Sequence, residues 1–176
     1  AEANRTLTAI YLLSTDGTNI SEWTKGVKDF VGGGTLNTTA THIGFTLQNP
    51  SRMPEAYISP IGSFAPAKVT RINDEHAAKA LPKTEVVKWK SSDGKEIEGL
   101  LTYPIGYQPG QKVPFILNVH GGPAGVFAQT CVAGNQGAYP LAAFADAGYA
   151  VLRPNPRRPS GYGTEFRMAN RNDWGG

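Results

Sequence analysis

A histidine, two glycines and a proline form the stretch of this sequence best suited to chemistry. His120-Gly121-Gly122-Pro123 directly follows the apolar run FILNV, residues 115–119. Adjacent glycines weaken strands and helices, but they let a substrate approach the main chain closely. Backbone N–H groups exposed in this way stabilise the negative charge that develops on an acyl oxygen. The pattern therefore predicts an oxyanion-binding loop, and the alternative is a tight strand-to-helix turn without a ligand.

The nucleophile that such a loop would serve is not evident in the sequence. Hydrolases with a glycine loop of this kind carry their serine on a G-x-S-x-G turn. None of the eight serines has glycine at both flanking positions, and the leading glycine is missing around both Ser63 (PIGSFA) and Ser160 (RPSGYG). We therefore expect no catalytic serine of this type, and no Ser/Asp/His triad, within the 176 residues.

The histidines and the single cysteine offer little further chemistry. His120 lies on the loop that carries the oxyanion donors, so a structural hydrogen-bonding role is favoured over that of a catalytic base. His42 lies in a strand pattern and His76 in a connector, and neither has an evident partner. Cys131 is the only cysteine, which excludes an internal disulfide bond and a cysteine-based zinc cluster.

The elements around the glycine loop follow the order strand, helix, strand. FILNV is a continuous apolar run, which is typical of a strand covered on both faces. A helical pattern over residues 137–147 is followed by a second apolar run at residues 149–153. This order predicts two parallel strands joined by a right-handed crossover, with the helix packed on one face of the sheet. The Gly122 N–H then points into a cleft at the strand ends, where open α/β sheets bind ligands.

The predicted helix has an apolar face and recognisable ends. Leu141, Phe144 and Ala145 lie three and four residues apart, which places them on one side of a helix. Pro140 suits the first turn, and Gly148 suits the C-terminal cap.

The remaining elements are predicted to be strands joined by turns. TEVVKWKSS and KEIEGLLTYP bracket Asp93-Gly94 and form a predicted hairpin, followed by the loop IGYQPGQKVP. In the first 80 residues, LTAIYLLS and TNISEWTKG flank Asp16-Gly17. The segments that follow are THIGFTLQ, the loop NPSRMP, the strands EAYISPI and AKVTRIND, and the connector DEHAAKALPKT. Because no helical period is present, this half predicts an antiparallel meander such as a sandwich sheet or a propeller blade.

Charge and hydropathy exclude two classes of partner. The 17 basic and 14 acidic residues give a net charge of +3, and the basic residues are scattered rather than clustered into a nucleic-acid patch. No run approaches the roughly 18 apolar residues of a membrane-spanning helix. The composition is that of a globular protein, and it leaves the cellular compartment open.

Two segments resemble a known family of enzymes. FILNVHGGPAG and RPNPRRPSGYGTEFRMANRNDWGG are similar to the prolyl oligopeptidase family of serine peptidases, and closest to its acylaminoacyl-peptidase and dipeptidyl-aminopeptidase-like branch. That branch typically carries N-x-R-G-S-x-G-Y-G in the second segment. Arg158 and Pro159 stand where the branch usually has glycine and serine. The matching residues are Asn155, Arg157, Gly161, Tyr162 and Gly163, with Phe166 and Asp173-Trp174-Gly175-Gly176 further on.

The resemblance implies a fold and a mechanism. The family pairs a β-propeller with an α/β-hydrolase domain, so residues 1–80 are expected to be the end of a propeller. Residues 81–176 are expected to be the first part of the hydrolase domain and its mainly parallel sheet. The implied reaction is acyl transfer from short peptides, with Gly122 N–H as one oxyanion donor and Gly121 shaping the loop. No metal or organic cofactor is implied.

Two other functions remain open at the level of the sequence. A lipase- or esterase-like hydrolase uses the same loop but lacks a propeller, and a non-catalytic β-rich binding module requires no nucleophile. The family's serine lies beyond the second segment. We therefore expect residues 1–176 to be one segment of a longer polypeptide, inactive alone and completed by the rest of the hydrolase domain. A sheet cut at this point should leave parts of FILNV and YAVL uncovered.

Overall fold

The structure is a computed structural model that describes residues 1–76, 79–121, 125–134, 139–156 and 160–169. The chain divides into two compact units, one of Ala1–Lys79 with Gln129–Cys131, the other of Ala80–Ala128 with Val132–Gly176. The strands of the first unit are β1 (Glu2–Asn4), β2 (Leu7–Ala9), β3 (Tyr11–Leu13), β4 (Ile20–Glu22), β5 (Phe30–Val31), β6 (Thr35–Leu36), β7 (His42–Asn49), β8 (Arg52–Pro60) and β9 (Ala67–Lys68), with a 3-10 turn at Asp74–His76. The second unit contains β10 (Thr84–Lys90), β11 (Glu96–Thr102), β12 (Phe115–Leu117), α1 (Leu141–Asp146), β13 (Ala150–Asn155) and α2 (Thr164–Met168).

Antiparallel strands build the described part of the first unit, as the sequence predicts. β3 and β4 form the hairpin expected around Asp16-Gly17, with Leu13 paired to Ile20. β7 lies at the centre of the largest sheet, whose order is β5-β7-β8-β9, and β6 also pairs with β7. Alternate residues of β7 are buried, because one face of the sheet covers the core and the other does not.

Aromatic side chains fill the core under β7. Phe45 packs edge-on against Trp23, with ring centroids 5.6 Å apart. Phe64 contacts both rings, at 5.0 Å from Trp23 and 5.6 Å from Phe45. The buried cluster consists of Ile10, Trp23, Val31, Ile43, Phe45 and Leu47.

Two predictions for this unit are wrong in detail. The segment NPSRMP is not a loop throughout, because β8 begins at Arg52 and includes Pro54. The segment AKVTRIND is not a full strand, because only Ala67 and Lys68 pair with β8. Its later part is fixed instead by the buried carboxylate of Glu55, which accepts hydrogen bonds from the Thr70 hydroxyl and the Asn73 N–H.

A four-stranded mixed sheet organises the second unit, in the order β10-β11-β13-β12. β10 and β11 form the hairpin predicted around Asp93-Gly94. β11 pairs antiparallel with β13, and β12 pairs parallel with β13 through Phe115–Ala150, Ile116–Val151 and Leu117–Leu152. The predicted parallel arrangement of the two apolar runs is therefore confirmed. Of the three strand pairs in the described sheet, one is parallel.

Helix α1 connects the two parallel strands and packs beside β13. Leu141 and Val151 are buried together, with Phe144 and Ile116 against them. The helix begins at Leu141, and residues 137 and 138 of the predicted span lie outside the described residues. Gly148 ends the helix with φ +89°, a left-handed conformation that favours glycine. The N–H of Gly148 donates to Ala145 O and that of Tyr149 to Phe144 O, which completes a Schellman cap.

The run FILNV does not form a strand covered on both faces. β12 comprises only residues 115–117 and lies at the edge of the described sheet. Phe115 and Leu117 are each 57% exposed, and Val119 is 61% exposed. In the part of the chain that the structure describes, no element covers these side chains fully. The expectation that part of FILNV is uncovered is confirmed.

Candidate functional site

His120 and Gly121, the described start of the glycine loop, follow the carboxyl end of β12. The N–H of Asn118 donates to Leu152 O, so pairing with β13 continues to within two residues of His120. β13 itself extends further, to Asn155, which pairs with Glu98 at the start of β11. Gly122, the predicted oxyanion donor, lies outside the described residues, as do Pro123, Arg157, Arg158 and Asp173–Gly176. The predicted cleft at the Gly122 N–H therefore stays a prediction.

The described ends of the loop approach each other closely. A Cβ atom added to Gly125 would lie 3.0 Å from Gly121 O and 3.1 Å from His120 Nδ1, so only glycine fits there without displacing its neighbours. Gly121 is exposed and has open space where a Cβ would stand. The His120 ring packs edge-on against Phe127, with centroids 5.1 Å apart. This packing agrees with a structural role for His120.

A buried amide fixes the segment that follows the loop. Asn155 is fully buried, and its Oδ1 accepts the N–H of Phe127 at 2.8 Å. Its Nδ2 donates to Phe127 O at 3.0 Å and to the Tyr162 hydroxyl at 3.3 Å. One side chain thus satisfies both backbone groups of Phe127. The carboxyl end of β13 is thereby tied to the chain that leaves the glycine loop.

The Tyr162 hydroxyl extends this network to a buried carboxylate. It donates to Glu98 Oε1 at 2.7 Å, and Glu98 is only 3% exposed. Lys88 Nζ lies 3.9 Å from Glu98 Oε2. The ring of Tyr162 stacks on Phe166 of α2, with centroids 5.1 Å apart. The predicted motif residues Asn155 and Tyr162 are therefore brought together by structure, each with a hydrogen-bonding role that the sequence pattern did not reveal.

Arg153 is a residue of this region that the sequence analysis missed. It is 3% exposed, and its Cζ lies 5.4 Å from the centre of the Phe127 ring. Burial lowers the pKa of Arg153 to about 10, because the charged guanidinium is removed from water. The only signal in the sequence is a charged residue inside the apolar run YAVLRP.

The other candidate residues belong to the first unit. His42 Nδ1 is 3.0 Å from the Thr41 hydroxyl, and His76 Nε2 is 3.2 Å from Glu75 Oε1. Cys131 is buried, and its N–H donates to Gln48 Oε1. Among the residues that the structure describes, no cluster of three or more His, Cys, Asp or Glu side chains could hold a metal ion. Within the same ranges, no helix is long and apolar enough to cross a membrane.

A cavity lies at the opposite edge of the sheet from the glycine loop. Its volume is about 540 Å³, and it is lined by residues before and within β10 and by the loop after β11. The stacked rings of Tyr103 and Tyr107 form one wall. The Tyr103 hydroxyl donates to Glu85 Oε2 at 3.0 Å, and burial raises the pKa of Tyr103. Because β11 runs antiparallel to β13, this cavity lies at the opposite end of the strands from His120 and Gly121.

Comparisons of the sequence with curated proteins identify peptidases. The chain is 29% identical over 170 residues to an uncharacterized peptidase, YuxL, of Bacillus subtilis, which covers 96% of this chain and 24% of that protein. It is 33% identical over 88 residues to a probable dipeptidyl-peptidase 5 of Emericella nidulans, covering 50% of this chain and 12% of that protein. The chain therefore spans a quarter or less of these relatives. No family model matches it.

Solved structures of peptidases share the fold. An acylaminoacyl peptidase of Pyrococcus horikoshii superposes on 94% of this chain with a TM-score of 0.75 and 23% identity, and the match covers 24% of that protein. Dipeptidyl peptidase 4 of Porphyromonas gingivalis superposes on 92% of the chain with a TM-score of 0.70 and 14% identity, covering 23% of that protein. At this level of identity the likeness concerns the fold.

Together, the comparisons show a β-rich segment that is similar in sequence to part of several peptidases and in fold to part of an acylaminoacyl peptidase and a dipeptidyl peptidase. The resemblance of this chain to the prolyl oligopeptidase family is confirmed, since its relatives in sequence and in structure are peptidases of that family.

Proposed function

We propose that the protein containing this chain is a serine peptidase that hydrolyses short peptides by acyl transfer. One observation carries the proposal: H-G-G-P directly follows a strand whose parallel partner ends in the N-x-R…G-Y-G segment. In open α/β sheets, loops at the carboxyl ends of neighbouring strands form the binding crevice. The similarity to peptidases over 96% of the chain supports the same function.

Within this proposal, the two units belong to two different domains of the protein. Residues 1–80 are the end of a β-propeller, and residues 81–176 are the first part of an α/β-hydrolase domain. The antiparallel meander of β3 to β9 and the parallel pair of β12 and β13 support this division. The serine, aspartate and histidine of the triad belong to another part of the polypeptide. The chain then supplies the oxyanion loop and the structure that holds it.

In the proposed mechanism, the backbone of this chain stabilises the charge that develops on the acyl oxygen. Gly122 N–H is one donor to the tetrahedral intermediate, and Gly121 gives the loop its shape. Asn155 contributes indirectly, because its hydrogen bonds to Phe127 fix the chain just after the loop. Preorganisation of this kind matters because donors already in place need not reorient as the charge appears.

The backbone donor can be tested by two substitutions at one position. Gly122→Pro removes the N–H, whereas Gly122→Ala retains it. We expect Gly122→Pro to lower kcat by about 10²–10³, the usual effect of losing one oxyanion donor. Gly122→Ala should retain much more activity. Assays on the protein containing this chain use matched peptide amide and activated ester substrates, with circular dichroism to verify folding. Equal losses in both folded variants would contradict the role of the N–H.

A second experiment tests whether the catalytic serine lies outside residues 1–176. The 176-residue chain alone should neither turn over an activated ester nor react with a serine-directed phosphonate probe, because it contains no G-x-S-x-G serine. The same probe should label one serine elsewhere in the complete protein. Stoichiometric labelling of the 176-residue chain with turnover would refute this assignment, and cleavage of esters without peptides would favour a lipase- or esterase-like enzyme.

A further inference from the structure

Arg153 is a buried cation whose hydrogen-bonding groups are not satisfied by the described residues. Its Nε and Nη2 atoms are inaccessible to solvent and have no hydrogen-bond partner. The cation–π contact with the Phe127 ring compensates part of the buried charge but supplies no hydrogen bond to Nε or Nη2. A buried charged group left without hydrogen bonds costs several kcal/mol, so buried guanidinium groups are normally paired. This residue therefore requires a partner.

The carboxylate closest by strand register does not serve as that partner. Glu98 pairs with Asn155 and Leu100 with Arg153, so Glu98 and Arg153 project from the same face of the sheet. The Glu98 carboxylate accepts from Tyr162 and lies near Lys88. Among the described residues, no ion pair or hydrogen bond joins it to Arg153.

The two unsatisfied nitrogens of Arg153 have a fixed arrangement within the guanidinium group. Nε and Nη2 lie on one side of the planar guanidinium, and their N–H bonds are parallel. This side matches the spacing of the two oxygens of a carboxylate, which it binds through two hydrogen bonds. His120 Nε2 is likewise buried without a partner, and its ring contacts the same Phe127 ring as Arg153 does. Two unsatisfied polar groups thus lie around one aromatic side chain beside the glycine loop.

We propose that Arg153 is a carboxylate-binding residue beside the oxyanion loop. The carboxylate comes either from a bound peptide or small acid, or from an Asp or Glu side chain elsewhere in the protein. The chemistry is the same in both cases: two parallel N–H bonds to two oxygens. Because Nε and Nη2 are inaccessible to solvent in this structure, the groups that cover them must move aside for the carboxylate to bind. This inference goes beyond the proposed peptidase function and does not depend on it.

The sign of the stability change in Arg153→Met tests the proposal. If the guanidinium has a carboxylate partner in the protein, Met leaves that carboxylate buried and unpaired, and the melting temperature falls. If the guanidinium has no partner at all, Met removes an uncompensated charge, and the melting temperature stays the same or rises. Arg167→Met, at an exposed arginine of α2 in the same unit, is the matched control and should change little.

The melting temperature in sodium acetate, compared with that in NaCl at equal ionic strength, distinguishes the two sources of the carboxylate. For a ligand carboxylate, we expect acetate to raise the melting temperature of the wild-type protein by roughly 2–4 °C. Arg153→Met and the charge-retaining Arg153→Lys should lose this response, because neither presents the parallel N–H pair. Peptides with a free C-terminal carboxylate should then bind at least about tenfold more tightly than the corresponding C-terminal amides. This is the smallest gain in affinity expected from one buried, hydrogen-bonded charge pair. For a side-chain carboxylate, acetate has no effect and Arg153→Met is destabilised.

Two results would overturn the proposal. The first is an Arg153→Met protein that melts at or above the wild-type temperature while acetate affects neither protein. The second is an Arg153→Met protein that melts at or above the wild-type temperature together with an acetate effect of equal size in the wild-type protein, Arg153→Met and Arg153→Lys, which would show that acetate acts elsewhere. Neither result depends on peptidase activity, so failure of the carboxylate site and failure of the proposed function are distinguishable.

Discussion

Replacing Asn155 by alanine should destabilise the second unit strongly, because this one amide satisfies two backbone groups of Phe127. In the wild-type chain, Oδ1 accepts the Phe127 N–H at 2.8 Å and Nδ2 donates to Phe127 O at 3.0 Å. Asn155 is 0% exposed, so water does not take its place without rearrangement. Alanine leaves the N–H and the carbonyl of Phe127 without these partners and creates a polar cavity.

The magnitude follows from the number of groups left unsatisfied. Each buried donor or acceptor without a partner costs about 1–3 kcal/mol, and two are released here. We expect Asn155→Ala to lower the free energy of unfolding by about 2–5 kcal/mol. In a protein of this length, each kcal/mol corresponds to roughly 2–4 °C in melting temperature. The third hydrogen bond, to the Tyr162 hydroxyl at 3.3 Å, is longer and adds less.

The measurement is urea unfolding combined with hydrogen exchange at the Phe127 amide. In the wild-type protein this amide should exchange slowly, and in Asn155→Ala it should exchange much faster than the neighbouring strand amides. Asn19→Ala is the matched control, because Asn19 is an exposed asparagine near the tip of the β3–β4 hairpin. Its effect should stay within about 0.5 kcal/mol.

Two results would refute this reasoning. One is a loss in Asn155→Ala as small as that of the control, which would mean that water or a neighbouring group replaces the amide at little cost. The other is a large loss of stability without faster exchange at Phe127, which would place the effect away from the segment that follows the glycine loop.

Three further predictions concern other parts of the structure. Tyr162→Phe removes the hydrogen bond to a buried carboxylate and should cost about 1.5–3 kcal/mol in urea unfolding; a change below about 0.5 kcal/mol would contradict it. Gly99→Ala places a Cβ 3.0 Å from backbone atoms of β13 and should destabilise by about 1–3 kcal/mol, whereas Gly44→Ala, where the nearest atom is 3.9 Å away, should be tolerated in the same thermal assay. Hydrogen bonds, above all from the Ser14 hydroxyl, lower the pKa of Asp16 to about 2, so its stabilising effect should be present above about pH 4 and be lost as the pH falls through about 2. In an acid titration of stability, Asp16→Asn should lose this part of the pH dependence, and an unchanged titration would contradict it.

Local chemistry made several elements predictable from the sequence. The Asp16-Gly17 and Asp93-Gly94 turns each join two antiparallel strands, because such dipeptides adopt the tight turns that hairpins require. Gly148 ends α1 as predicted, since its left-handed conformation is open to glycine at low cost. The order of apolar run, helix and apolar run predicted the parallel pairing of β12 with β13. The helix carries the chain back to the end of the sheet where the first strand began, so the second strand runs in the same direction.

Other features depended on partners distant in sequence. Pro54 lies inside β8 although proline usually interrupts strands, and FILNV is largely exposed although its composition is that of a buried strand. Whether an apolar run is covered depends on which elements pack against it, and a run of residues carries no record of those neighbours. The same limitation applies to AKVTRIND, whose end is held by a carboxylate on another strand.

The chemistry beside the glycine loop was decided by tertiary structure alone. His120-Gly121-Gly122-Pro123 is recognisable because its residue types and spacing are local. Asn155 appears in a motif, but its hydrogen bonds to Phe127 cross 28 residues. Arg153 reads in the sequence as a charged residue near the end of a strand, and only the packing of Phe127 and the sheet around it reveals a guanidinium removed from water. The free energy of a charged side chain depends strongly on how far it is removed from water, and burial is a property of the whole fold.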